Sequence, residues 1–178
     1  MGKELRAVEI REFLTTVGKR VAAPAHLILV GGSALNLLGS DRPTLDLDYE
    51  GEERATDELR VLMEKVALEL HIDLEAVPLD RFIPVPSGAD ERHVLIGHFG
   101  DLQVLVFDPY SIALSKLDRG FDSDIEDVVF LLRCELINYT QLRAFLDAVP
   151  RESASQYDLD LARMRVRLDM ARSALDMD

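Results

Sequence analysis

The stretch VGGSALNLLGSDRPTLDLDYE, residues 30–50, constrains the fold most strongly. The apolar run from His26 to Val30 leads into it and predicts a buried strand. Ser33 to Leu38 then predicts a short helix, and the alternating residues Thr44 to Tyr49 predict a strand with one exposed face. We therefore expect two strands joined by a short helix, with a glycine turn where the first strand ends.

Hydrophobic periodicity predicts further helices and strands along the rest of the chain. Helices are expected over the first twenty residues and over Ala55 to Leu70, Tyr110 to Leu117, Asp124 to Glu135, Thr140 to Ala148 and Ser155 to Leu175. Strands are expected over His71 to Val77, Arg92 to Gly97 and Leu102 to Phe107. The segment PLDRFIPVPSGADER between them is rich in turn residues and predicts an excursion over the surface. The fold class is therefore α+β, a mixed sheet of four or five strands flanked by helices, with a helical C-terminal part.

Composition and charge limit the function. Hydrophobic residues make up 48% of the 178 and charged residues 30%, as in globular proteins. The apolar runs are far shorter than the roughly 18 residues of a membrane span, and the N-terminal segment lacks a signal-peptide core. A cytoplasmic protein without membrane contact is expected. The net charge of −13 opposes broad nucleic-acid binding and is consistent with a protein that binds divalent cations or docks on a basic partner.

Cys134 is the only cysteine, so the chain can form no internal disulfide and no cysteine-based metal cluster. Its place in the helical run VVFLLRC predicts a small buried hydrophobic residue.

The opening stretch also predicts chemistry. A glycine pair lets the backbone approach a ligand closely, and the start of the following helix favours an anion. Asp46 and Asp48 are two residues apart on one strand, so their carboxylates leave the same face. Carboxylates this close favour a hard divalent cation such as Mg²⁺ between them. A phosphate cradle beside a metal-binding pair suits a nucleoside triphosphate.

These residues resemble a known signature. Gly-Gly before a short helix, followed by Asp-x-Asp on the next strand, resembles the DNA polymerase beta-like nucleotidyltransferase superfamily. The sequence Arg42-Pro-Thr44 before the acids, together with DPYSIALSKLDRGFDSDIEDVVFLL at 108–132, is similar to small bacterial AbiEii-type and DUF6036 nucleotidyltransferase-like proteins. The resemblance implies a nucleotidyltransferase-like core over residues 1–108 and a helical part over 109–178 that packs on it.

The resemblance further implies a set of metal-binding, catalytic carboxylates. Asp46 and Asp48 would hold two Mg²⁺ ions, and a third acid on a later strand would complete the site. Asp73 in HIDLEAV is the better match for this third acid, and Glu75 on the same strand face is the alternative.

For the nucleotide, the resemblance implies that Gly31, Gly32 and Ser33 hold the β- and γ-phosphates. It also places a lysine near the nucleotide, and Lys116 in KLDRGFDSDIEDV matches that position as a contact of the triphosphate.

Simpler interpretations of the downstream motif stay open. Lys116 on a helix face is often solvated or paired with an acid such as Asp118 or Asp122. Asp124 and Asp127, which match an Asp-x-x-Asp pair of the family, are equally suited to capping and charging the first turn of their helix.

The predicted function is Mg²⁺-dependent transfer of a nucleoside monophosphate from an NTP to a hydroxyl of an RNA, a protein or a small molecule. The leading biological setting is the toxin of a toxin–antitoxin pair. The expected partners are the NTP, the acceptor, and a cognate antitoxin or a second copy of the chain. The arginines of the last segment, Arg163, Arg165 and Arg167, are more typical of a solvated face than of an RNA site.

Two other functions stay open. One is a catalytically silent protein that keeps the fold and acts as an antitoxin-like or assembly partner. The other is a metal-dependent hydrolase or cation-binding protein that uses the same acids without a nucleotide.

Overall fold

The computed structural model describes residues 3–51 and 55–175. Its helices are α1 Ala7–Gly18, α2 Gly31–Leu37, α3 Asp57–Leu70, α4 Pro109–Arg119, α5 Asp122–Arg133, α6 Tyr139–Asp147, α7 Arg151–Gln156 and α8 Leu161–Leu175. Its strands are β1 Ala25–Leu29, β2 Asp46–Tyr49, β3 Asp73–Ala76, β4 Val94–Phe99 and β5 Leu102–Val106. Short 3₁₀ turns cover Leu79–Arg81 and Asp90–Arg92.

The strands form one mixed sheet in the order β3-β2-β1-β5-β4. Strands β2 and β3 are parallel to each other, as are β1 and β5, whereas β1 and β2 are antiparallel, as are β4 and β5. The predicted α+β class, with a five-stranded mixed sheet, flanking helices and a helical C-terminal region, is confirmed.

The chain divides into two compact units. The first comprises Met1–Pro78 and His93–Phe107 and contains the whole sheet with α1, α2 and α3. Helix α1 packs on β4 and β5, α2 on β2, and α3 on β3. Strands β1, β2 and β5 turn alternate apolar residues into this core, because neighbouring residues of a strand face opposite sides. The acids of β2 therefore lie on the opposite face of the sheet.

The close packing of α1 on the sheet depends on Gly18. A Cβ atom at this position would lie 2.6 Å from the carbonyl carbon of Phe99 and closer still to its oxygen. The helix can therefore approach the end of β4 only where no side chain is present.

The second unit comprises Leu79–Arg92 and Asp108–Asp178. Asp108 begins α4 by accepting hydrogen bonds from the backbone N–H groups of Tyr110 and Ser111. Its carboxylate also forms a two-point pair with Arg92, with Nε at 2.9 Å and Nη2 at 2.8 Å. This pair fastens the end of the segment 79–92 to the start of the C-terminal helices.

The segment 78–92 was expected to run over the surface, and this prediction is wrong for three of its apolar residues. Leu79, Ile83 and Ala89 are buried in the structure. The proline and glycine residues do break regular structure, but they leave these three side chains free to pack in the core of the unit, whereas Phe82 is exposed.

Two other predictions are corrected by the position of helix ends. The final predicted helix from Ser155 is interrupted, because Asp158 has a left-handed φ of 55° between α7 and α8. Cys134 is exposed rather than buried, since α5 ends at Arg133 and the thiol lies beyond its buried face. Among the helices within the described ranges, none has the length and apolar character needed to cross a membrane.

Candidate active site

Four carboxylates lie on one face of the sheet. Strands β2 and β3 pair in parallel with Asp46 opposite Asp73 and Asp48 opposite Glu75. Within the described ranges, Asp46, Asp48 and Glu75 each offer a carboxylate oxygen, and the three oxygens lie within 4.8 Å of one another. Asp73 is not a member of this group. The structure therefore groups the longer side chain of Glu75 with the aspartate pair, whereas the sequence favoured Asp73.

Gly31 lies directly against this group. Its φ of 64° is in the left-handed region, and a Cβ atom there would lie 3.0 Å from Cγ of Asp48 and closer still to Oδ2. Glycine is required here by both the backbone angle and the space that the Asp48 carboxylate occupies. The predicted close approach of this backbone to a ligand stays a prediction.

The second glycine makes room for a hydroxyl. A Cβ atom at Gly32 would lie 2.8 Å from Oγ1 of Thr44. This hydroxyl donates a hydrogen bond to Oδ1 of Asp46 at 3.1 Å. The connection between α2 and β2 is therefore packed tightly enough to bring a hydroxyl donor against the Asp46 carboxylate.

Ser33 is fully buried and bonds within the protein. Its hydroxyl lies 3.1 Å from the carbonyl oxygen of Val30, to which it donates, and accepts the backbone N–H of Asp48 at 3.2 Å. Ser33 thus fastens β2 to the start of α2. The predicted contact of this hydroxyl with a phosphate stays a prediction.

Sequence reasoning gave no role to Asn36. It is buried, and its amide nitrogen donates to the carbonyl oxygens of Gly32 at 3.0 Å and Arg42 at 2.8 Å. The side chain holds the α2–β2 connection against the glycine turn. The only sequence signal was a polar residue in the otherwise apolar run ALNLL.

Lys116 belongs to the second unit. Its ammonium group is paired with Asp124 at 3.1 Å and Asp127 at 2.7 Å, and its side chain is 7% exposed. Lys116 is thus paired with acids, as the simpler interpretation expected, but its partners are Asp124 and Asp127 and not Asp118 or Asp122. The predicted contact of Lys116 with a triphosphate stays a prediction.

Asp124 is the centre of this buried cluster. Burial alone would raise the pKa of its carboxyl, but the hydrogen bonds from Arg119 and the nearby charge of Lys116 outweigh it and hold the pKa below its usual value. Asp124 also accepts the backbone N–H of Phe121, so the capping role left open for it is present.

The arginines of α8 have partners inside the second unit. Arg165 pairs with Asp147 and Arg163 with Asp160, and Arg167 donates to the carbonyl oxygens of Leu117 and Asp118. The preference for a solvated face over an RNA site stays a prediction.

The carboxylate group of the first unit fits a hard divalent cation. Its donor set consists of oxygens alone, which Mg²⁺ prefers, and Asp46 and Asp48 are half-buried while Glu75 is exposed. Three like charges this close repel one another unless a cation lies among them. The arrangement can therefore bind Mg²⁺ beside a glycine turn.

Comparisons with known proteins place the chain in a family. Neither the curated proteins nor the solved structures gave a match. A family model described as a nucleotidyltransferase of unknown function (DUF6036) matches residues 6–172, which includes both motifs that carried the resemblance. The DNA polymerase beta-like superfamily and the AbiEii-type toxins stay predictions. The chain belongs to the DUF6036 family of nucleotidyltransferases of unknown function.

Proposed function

We propose that the chain transfers a nucleoside monophosphate from an NTP to an acceptor hydroxyl in a Mg²⁺-dependent reaction. The observation that carries the proposal is the group Asp46, Asp48 and Glu75, whose oxygens lie within 4.8 Å of one another. The group lies against the glycine turn of a chain whose family is described as a nucleotidyltransferase.

In this proposal the carboxylates of Asp46, Asp48 and Glu75 hold two Mg²⁺ ions. The bound Mg²⁺ supplies neutralisation of the charge on the phosphoryl oxygens. We assign the third ligand to Glu75 rather than Asp73 because Glu75 belongs to the close group.

Gly31 and Gly32 would offer backbone N–H groups to the β- and γ-phosphates of the NTP, while the Asp48 carboxylate and Thr44 fill the space left by their missing side chains. The buried Ser33 holds the backbone of Asp48, so its contribution is to position β2. The acceptor hydroxyl attacks the α-phosphorus in line and gives up its proton to water, a new O–P bond forms, and the bond from the α-phosphorus to the oxygen of the β-phosphate breaks to release pyrophosphate. Catalysis comes mainly from positioning and charge neutralisation.

The acceptor class and the biological setting extend the proposal. We take RNA or protein as the acceptor and the toxin of a toxin–antitoxin pair as the setting, because the two motifs resemble proteins of that kind. An antitoxin or a second copy of the chain is the corresponding protein partner.

The proposal is tested by incubating the full chain with each α-phosphate-labelled NTP, Mg²⁺, and a pool of tRNA and cell protein. Wild type is expected to transfer label to a macromolecule, and Asp48→Asn and Glu75→Gln are expected to abolish transfer. Asp73→Asn is the matched control, since it neutralises an acid of the same strand face outside the close group.

Asp73→Asn is expected to keep most of the transfer. Loss with Asp73→Asn and retention with Glu75→Gln would contradict the assignment of the third ligand. A wild type that neither transfers label from any NTP nor binds an NTP would contradict the proposed function and favour the catalytically silent partner.

A further inference from the structure

Thr44 is part of the motif Arg42-Pro-Thr44, and neither the resemblance nor the proposed chemistry gives it a role. Its hydroxyl donates to Oδ1 of Asp46 at 3.1 Å. An ionised carboxylate can only accept, so the direction of this hydrogen bond is fixed. One oxygen of Asp46 is thereby engaged by a neutral donor.

The backbone of Thr44 is held on its other side by the N-terminal segment. Its N–H donates to the carbonyl oxygen of Leu5 at 3.0 Å, and its carbonyl oxygen accepts the N–H of Leu5 at 2.7 Å. Leu5 itself is fully buried, so it anchors this two-way contact in the core. The position of Thr44 is therefore set independently of the acids.

Gly32 fixes the direction of the Thr44 side chain. A Cβ atom at Gly32 would lie 2.8 Å from Oγ1 and 3.0 Å from Cβ of Thr44, so the absence of a side chain there admits the threonine. The backbone bridge to Leu5 and the contact with Gly32 together aim the hydroxyl at Asp46.

We propose that Thr44 is a positioning residue that holds the Asp46 carboxylate in the orientation needed to bind a divalent cation. The inference rests on the proposed function, because it takes Asp46 as a metal ligand. A half-buried carboxylate without a fixed donor rotates between several orientations, and groups that orient a metal ligand by hydrogen bonds raise the affinity of the site. A hydroxyl suits this role, since it adds no positive charge that would compete with the cation.

The experiment measures Mn²⁺ binding to the full chain, without nucleotide, from the loss of the free Mn²⁺ signal in electron paramagnetic resonance. Thr44→Val keeps the branched shape and removes the hydroxyl, whereas Thr44→Ser keeps the hydroxyl. We expect Thr44→Val to weaken Mn²⁺ binding by roughly tenfold. Thr44→Ser should bind much closer to wild type.

Thr16→Val is the matched control. Its hydroxyl donates to the carbonyl oxygen of Glu12 within α1, so the same chemical change is made away from the acids. Thr16→Val should leave Mn²⁺ binding unchanged. If Thr44→Val does not fold, Thr44→Ala against Thr44→Ser makes the same comparison without added bulk.

The outcomes separate this inference from the proposed function. The role of Thr44 alone is overturned if Asp48→Asn loses Mn²⁺ binding while Thr44→Val, melting at the wild-type temperature, binds Mn²⁺ as tightly as wild type. A wild type that binds no Mn²⁺, or binds it equally after Asp48→Asn, overturns the metal site and the role of Thr44 with it.

Discussion

Replacing Gly31 by alanine should damage the proposed site more than the fold. The left-handed φ of 64° costs an alanine about 1–2 kcal/mol. The new Cβ atom would lie 3.0 Å from Cγ of Asp48, whereas ordinary contact begins at 3.4 Å, so Cγ must withdraw by at least the difference of 0.4 Å. Oδ2 starts closer and must move further. The carboxylate then leaves its place beside Asp46 and Glu75.

Gly31→Ala is expected to weaken Mn²⁺ binding by roughly tenfold or more, the range seen when groups that orient a metal ligand are disturbed. It should lower the melting temperature by only about 2–8 °C, because about 1 kcal/mol shifts a chain of this size by about 2–4 °C. Mn²⁺ titration and thermal unfolding of the full chain measure the two effects.

Gly39→Ala is the control, since Gly39 also has a positive φ, of 109°, but a Cβ atom there would meet nothing within 4 Å. It should cost stability without weakening Mn²⁺ binding. If Gly31→Ala bound Mn²⁺ as tightly as wild type, the Asp48 carboxylate would not bind the cation from its place against this glycine, and the reasoning would be refuted.

Two further predictions concern stability. Gly18→Ala should lower the free energy of unfolding of the first unit by at least about 1–3 kcal/mol in urea, because the new Cβ atom would overlap the Phe99 carbonyl group. Lys19→Ala, at the exposed neighbouring position, is the control and should change that free energy by less than about 0.5 kcal/mol. An equal effect of the two substitutions would contradict the close approach of α1. The lowered pKa of Asp124 contributes stability that is fully present above the ordinary carboxyl pKa of 3.8 and is lost as pH falls through the folded-state value. Urea unfolding between pH 6 and 3 should therefore show the stability advantage of wild type over Asp124→Asn shrinking below about pH 4. An advantage that does not change with pH would argue against the ion pairs of Asp124.

The part of the site that was predictable lies within one short stretch of sequence. Gly31, Asp46 and Asp48 could be placed because the strand, the short helix and the alternating strand follow one another with clear hydrophobic periodicity. The same periodicity predicted a mixed sheet of four or five strands, and the structure contains five. These signals are local, so the strands and helices could be predicted individually, whereas the strand order depends on contacts between distant parts of the chain.

The third acid could not be chosen from sequence because Asp73 and Glu75 share a strand face. The choice depends on the register of β3 against β2 and on the extra methylene of Glu75, and neither is encoded in a short motif. Thr44 could have been noticed, since it lies two residues before Asp46 on the same face of the predicted strand Thr44 to Tyr49, although β2 itself begins at Asp46. Its donor role depends on the bridge to Leu5 and the space at Gly32.

The partners of Lys116 were also beyond local patterns. Asp124 and Asp127 reach it only because α4 and α5 pack against each other after the turn at Gly120. The burial of a residue near a helix end depends on the exact residue at which the helix stops. The periodicity through the buried Leu131 and Leu132 therefore predicted a buried Cys134, whereas α5 ends at Arg133 and Cys134 is exposed.

The position of the label in the NTP tests the central claim most directly. The full chain is incubated with Mg²⁺ and acceptor pool, in parallel, with the same NTP labelled at the α- or the γ-phosphate. Nucleotidyl transfer predicts that the α-label becomes attached to a macromolecule while the γ-label is released as pyrophosphate, and that Asp48→Asn abolishes both. Attachment of the γ-label instead, or attachment of the α-label that persists in Asp48→Asn, would contradict the account.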